Sequence, residues 1–121
     1  GQTIRNTGTA GGIVALGNSH LELFSSEVRN NVGSGVVLRE NSSARIFNNT
    51  ITGNGGNGVR VIRLSTARLF APNTITGNGN FDFFCAPNSF ASGDKTGVGR
   101  MFCPKFDQSP EPMLGPKPDQ P

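Results

Sequence analysis

The chain has 121 residues, eleven basic and eight acidic side chains, a formal charge of +3, and neither Tyr nor Trp. That length allows one domain with a modest core, and so mild a charge, with Phe as the one stacking aromatic, argues against a nucleic-acid surface. No run approaches the roughly eighteen apolar residues of a membrane-crossing helix, and the polar stretch Gly1–Gly12 lacks the apolar core of a signal peptide.

Seventeen glycines and thirteen asparagines favour a chain that turns often. In chain order, the first apolar position is Ile4, after which segments beginning at Gly11, Ser34 and Asn57 superpose at a step of 23. Ile13, Val36 and Val59 correspond, as do Ala15, Leu38 and Val61. Leu21, Ala44 and Ala67 follow, then Leu23, Ile46 and Leu69, with Phe24, Phe47 and Phe70 beside them. Val28, Ile51 and Ile75 close the units, the last step being 24 because one residue is added around Ala71–Pro72. Phe81 and Phe83 open a fading fourth unit.

Within each unit apolar residues recur at i and i+2, the period of a strand, in short runs broken by Gly-Asn-Ser-Thr turn clusters. No unit carries a helical stripe. Such a unit cannot bury its own apolar edge, whereas units stacked in parallel, with strands about 4.8 Å apart, make a continuous interior. A leucine-rich repeat would need more Leu positions and a helix-compatible return, and a β-sandwich would not explain the repeat. The periodicity predicts a parallel β-helix.

Each unit opens with Gly–apolar–x–apolar (Gly12–Ala15, Gly35–Leu38, Gly58–Val61) and carries a central serine (Ser19, Ser42, Ser65). It closes with an Asn-rich element (Asn49–Asn54, Asn73–Asn78, with Ser26–Asn31 as a degenerate first copy). This pattern resembles the right-handed parallel β-helix repeats of pectin-lyase-like proteins, over Ile4 to about Phe84. The resemblance implies an all-β fold: a right-handed single-stranded parallel β-helix of about three to four coils over residues 1–84, with an irregular C-terminal cap. Lyases, hydrolases, epimerases, phage tailspikes and non-enzymatic surface proteins share this fold, so it says little of function. Polygalacturonase-like members carry clustered Asp with His and an Arg-Lys pair, and pectate-lyase-like members carry calcium-binding acids with an Arg. Neither cluster stands in this sequence.

From Cys85 the periodicity ends. Residues 85–107 are expected to form the cap, with Phe81, Phe83, Phe84 and Phe90 as candidates for a plug and Met101 and Phe102 on a returning strand. An uncapped end would expose the interior and a row of unpaired backbone groups. Cys85 and Cys103, eighteen apart, are expected to form a disulfide, and a secreted or cell-surface location would follow. Residues 108–121, with five prolines, are expected to be an extended, flexible tail or to lie along a partner. Ile4 reads as the last strand of an earlier coil, so the chain is expected to be the C-terminal part of a longer solenoid or to meet another chain.

Paired catalytic carboxylates stand about 5–9 Å apart, and in a coil stack such a pair would recur one repeat later. Glu22 is instead followed by Arg45 and Arg68, Glu40 by Arg63, and Glu27 by Thr50 and Thr74, so no catalytic residue is assigned. His20, the single histidine, and two remote cysteines do not supply a zinc site. No metal or cofactor is expected, and Asp94 and Lys95 read as a polar hairpin tip. Arg45 and Arg68 above Glu22 form an acid–base–base column. With Arg39 and Arg60 they are weak candidates for bidentate binding of an acidic polysaccharide; the competing reading is a solubilising surface whose cross-coil pairs contribute about 0–1 kcal/mol each. Phe24, Phe47 and Phe70 either form a partner surface or tuck under a corner. No repeated outward Thr-x-Thr array is read from the sequence.

These readings converge on a non-catalytic terminal or assembly module of an extracellular β-helix protein. The alternative is part of a polysaccharide-binding or polysaccharide-modifying protein (a lyase, hydrolase or epimerase) whose catalytic residues lie upstream. The partners expected are upstream coils of the same protein or another copy of the chain, with acidic polysaccharide as a further candidate; no nucleic acid and no membrane span is expected.

Overall fold

A computed structural model describes residues 3–5 and 11–108. The Pro-rich segment read as a tail lies outside the described residues except for Gln108. The strands form three parallel sheets. Sheet A contains β1 (Thr3–Arg5), β4 (Glu27–Arg29), β7 (Thr50–Thr52) and β10 (Thr74–Thr76). Sheet B contains β2 (Gly11–Ala15), β5 (Ser34–Leu38), β8 (Val59–Val61), β11 (Phe83–Cys85) and β13 (Met101–Phe102). Sheet C contains β3 (His20–Phe24), β6 (Ser43–Phe47), β9 (Thr66–Phe70), β12 (Phe90–Gly93) and β14 (Phe106–Gln108). The chain visits B, C and A in turn and pairs each strand with its equivalent one coil on, giving a β-solenoid of about four turns.

The repeat alignment is the strand register. Ile13 pairs with Val36, Val36 with Val59, Leu21 with Ala44, Leu23 with Ile46 and Val28 with Ile51. The residue added near Ala71–Pro72 falls in a turn, so Phe47 still pairs with Phe70 while Thr50 pairs with Thr74. Alternation sends every second side chain inward. Val28, Val36, Leu38, Ile46, Ile51, Val59, Val61, Leu69, Ile75 and Phe83 are fully buried in one core. The interior columns are also matched in size, since Ala44, Ala67 and Ala91 share one column and leave room for the larger residues opposite.

Close coil stacking explains the glycine that opens each unit. A Cβ on Gly35 would lie 2.8 Å from the Gly58 carbonyl oxygen and 2.8 Å from the Asn54 amide nitrogen, and one on Gly58 would lie 2.5 Å from the Asp82 carbonyl oxygen. The Asn54 amide belongs to a buried ladder. Asn31 donates to Asn54 at 2.9 Å and Asn54 to Asn78 at 2.9 Å, while the backbone N–H of Asn54 also donates to Asn78 at 3.0 Å. A second ladder runs from the Ser26 N–H to Asn49 and from the Asn49 N–H to Asn73. A third joins the Ser19 N–H to the Ser42 hydroxyl and the Ser42 N–H to that of Ser65. These columns satisfy turn amides that the sheets leave unpaired.

The segment 85–107, read from the sequence as a cap, continues the same sheets. Phe83 pairs with both Val59 and Met101, Ala91 with both Ala67 and Phe106, and Ile75 bridges to Val98. The coil shortens as it ends: Met101 follows Phe83 by 18 residues, where Phe83 follows Val59 by 24. The expected plug is corrected. Phe83 is an interior residue of the fourth coil, but Phe81 and Phe90 are exposed and Phe84 is half-buried, and the residues that close the core are Met101, Cys103 and Phe106. The physical reason is strand alternation: Phe84 neighbours inward Phe83 and Cys85, so it must face out.

Candidate functional site

The outer face of sheet C carries three columns that bring together most of the charged and aromatic candidates. His20, Ser43, Thr66 and Phe90 form the first, Glu22, Arg45, Arg68, Ser92 and Asp107 the second, and Phe24, Phe47 and Phe70 the third. Arg45 donates to Glu22 at 3.3 Å, and its guanidinium lies 5.9 Å from the Phe24 ring centre and 5.4 Å from that of Phe70. Arg68 lies 5.3 Å from the Phe70 ring centre. It is exposed, and among the described residues no carboxylate stands within ion-pair distance of it. Arginine over an aromatic face keeps most of its hydrogen-bonding edge for a ligand.

The aromatic column is graded along the solenoid. Phe24 is 37% exposed, Phe47 is half-buried and edge-on to Phe24 at 5.9 Å, and Phe70 is only 3% exposed. Both arginines lie over the Phe70 ring, which does not share the exposure of Phe24.

Most of the carboxylates are engaged within the fold. The hydrogen bond from His20 holds the Glu22 carboxyl below its usual range; burial opposes it, and the nearby Arg45 adds a smaller lowering effect. Glu40 accepts from Arg63 at 2.6 Å and lies 3.6 Å from Arg39. Glu27 stands 3.5 Å from Arg29, and the Asp94 carboxyl accepts the Thr96 N–H at 2.8 Å. Asp82 ends the asparagine ladder, as its carboxylate takes two donors from Asn78, at 2.8 and 3.0 Å, and the Arg100 N–H at 2.8 Å. Among the described residues no three His, Cys, Asp or Glu side chains gather as metal ligands.

Arg39 and Arg60 lie elsewhere. Arg60 faces out from sheet B, in a column that reads Val14, Val37, Arg60, Phe84 and Phe102, and Arg39 follows the end of β5. The four arginines therefore do not form one cluster. Val37 shares that outward column with Val14, yet it is 4% exposed while Val14 is 42% exposed.

Three features were missed in the sequence. Ser89 stands one coil after Ser65 and is fully buried, a fourth member of the serine column legible at a spacing of 24. Thr50 and Thr52 pair with Thr74 and Thr76, so a two-by-two threonine array does exist on sheet A, bounded by the Glu27–Arg29 pair; the repeated Thr-Ile-Thr was its signal. Phe81, Phe84 and Phe102 pack as an aromatic triad outside sheet B, with ring centres 5.6–6.1 Å apart. Its signal was hidden because Phe102 falls 18 residues after Phe84, outside the repeat step.

The disulfide expected from the two cysteines is present between Cys85 and Cys103, and such a bond is compatible with an oxidising, extracellular setting. Among the described residues no helix is long and apolar enough to cross a membrane. The family model described as the right handed beta helix region matches residues 1–97, and the chain belongs to that family. No curated protein and no solved structure gives a significant match.

Proposed function

We propose that this right-handed β-helix is a non-catalytic terminal and assembly module of an extracellular β-helix protein, and that its N-terminal end takes a further coil, from the same polypeptide or from another copy. One observation carries this reading: the contrast between the two ends. At the C-terminal end the edge strands β13 and β14 have two and three residues, which blunts strand pairing. At the other end β2 and β3 are five residues long and stand at sheet edges among the described strands. Their inward residues Ile13 and Leu21 are half-buried, whereas Val36 and Ala44 one coil on are buried. Ser43 and Thr66 each donate a backbone hydrogen bond at 2.9 Å to the preceding coil, and the equivalent His20 N–H faces the side of β3 on which the described residues place no strand.

Sedimentation across a concentration series tests the reading. The chain is expected to self-associate, or to bind a chain of preceding coils, and His20→Pro, which removes that donor, is expected to abolish the association while leaving the fold unchanged. A chain that stays monomeric and binds no preceding coils, or associates equally well as His20→Pro, overturns it.

A second reading is favoured by exposed Arg68 beside Arg45: an acidic polysaccharide lying along sheet C. Arg45→Ala with Arg68→Ala is then expected to lose retention on a uronate-rich polysaccharide and to leave a neutral glucan unaffected. Equal retention by wild type and the double variant ends that reading.

A further inference from the structure

We propose that the chain's own proline-rich segment, residues 109–121, docks on the aromatic ridge of Phe81, Phe84 and Phe102 on the outer face of sheet B. The proposal is independent of the assembly role of the N-terminal end. Phe81 is 37% and Phe102 44% exposed, so the ridge is an apolar surface that the described residues leave open.

Phe84 and Phe102 are stacked, with centres 5.6 Å apart and planes 19° apart, and Phe81 leans on both at 6.1 and 5.7 Å. Contiguous aromatic surface of this kind suits a proline-rich chain in the extended polyproline II form, which docks on aromatic residues. Charge points the same way. The outward column of this face holds exposed Arg60 and no acid, while Arg39 nearby is paired with Glu40. Two copies meeting through it would oppose arginines, whereas residues 109–121 bring Glu111 and Asp119 against one Lys117.

Reach and position are sufficient. Phe102 and Gln108 belong to the same final coil, and thirteen residues follow Gln108, spanning about 40 Å at polyproline II rise. Pro110, Met113 and Pro116 recur every third residue, the period that puts them on one face of such a strand. The Cys85–Cys103 bond fixes the backbone beside Phe84 and Phe102, so the ridge is preorganised.

The test compares aromatic NMR resonances of the full chain with those of a chain ending at Gln108. Phe81, Phe84 and Phe102 ring resonances are expected to shift on truncation and to return when a synthetic 109–121 peptide is added, while Phe24 and Phe47 do not move. Arg60→Glu is expected to weaken the peptide effect several-fold. Should the truncated chain fail to fold, the full chain with Pro110, Pro112 and Pro116 replaced by Ala is expected to show the same ridge shifts. Ridge resonances that are identical with and without the segment overturn the proposal. So do contacts between segment and ridge that mixed isotope labelling shows to be intermolecular.

Discussion

Cys103 stands one rung beyond Cys85 in the interior column that Leu38 and Val61 hold in earlier coils, with Cα atoms 4.5 Å apart. The bond is thus a covalent rung between coils, placed where the last coil has lost residues and can make only a two-residue strand.

Reduction, or the double variant Cys85→Ala with Cys103→Ala, is expected to destabilise this end by about 3 kcal/mol on the loop-entropy estimate for a closed loop of this size. Hydrogen exchange should accelerate at β13 and β14 first, with β5 to β9 still protected. Uniform loss of protection throughout the chain would contradict this.

Leu64 occupies the left-handed region, at φ 67°, in the turn where Asn18 and Asn41 have φ 62°. A branched side chain there costs roughly 1–2 kcal/mol, which Asn largely avoids. Asn41 also donates to Asn18 at 2.8 Å, so Leu64→Asn extends an existing surface ladder. It is expected to raise stability by about 1 kcal/mol, seen as a higher denaturant midpoint with an unchanged m-value.

Asp82 sets the acid limit of the C-terminal coils. Burial raises its pKa, but hydrogen bonds from the Asn78 and Arg100 N–H groups, the Asn78 amide and the Arg100 charge outweigh it, and the net shift is downward. A depressed folded pKa contributes stability that is present above the unfolded value, about 3.9, and lost as pH falls through the folded one. Unfolding should therefore steepen below about pH 4. Asp82→Asn, which replaces an acceptor with a donor facing Arg100, is expected to cost about 1–3 kcal/mol at neutral pH and to flatten that acid limb.

Asn54 is the middle of its ladder, accepting from Asn31 and donating to Asn78 and to the Val28 carbonyl at 3.1 Å. Asn54→Ala deprives buried groups on both neighbouring coils, each worth about 1–3 kcal/mol when unpaired. Thermal unfolding is expected to show a larger loss than Thr52→Ala, two residues earlier at the end of β7 in sheet A.

Interior architecture was legible because it repeats. A residue that faces inward in one coil faces inward in the next, and every interior pair from Ile13–Val36 to Leu69 follows from the 23-residue step. The cysteine pair was legible for a related reason, since Cys85 ends β11 and Cys103 directly follows β13.

What the sequence by itself determined is therefore the coil, its inward columns, its glycine openings and the disulfide. The tertiary structure alone decided the environment of the outward residues. Whether an outward side chain is covered depends on neighbours in adjacent coils rather than on its own strand: Phe70, with Arg45 and Arg68 over its ring, is buried while Phe24 is open, and Val37 is buried while Val14 is not. Phe84 meets Phe102 because the final coil omits residues from a turn, and a change of coil length moves every later contact out of the repeat. Backbone periodicity is local and additive along a solenoid, but surface cover is a property of pairs brought together across coils, and no one-dimensional pattern specifies it.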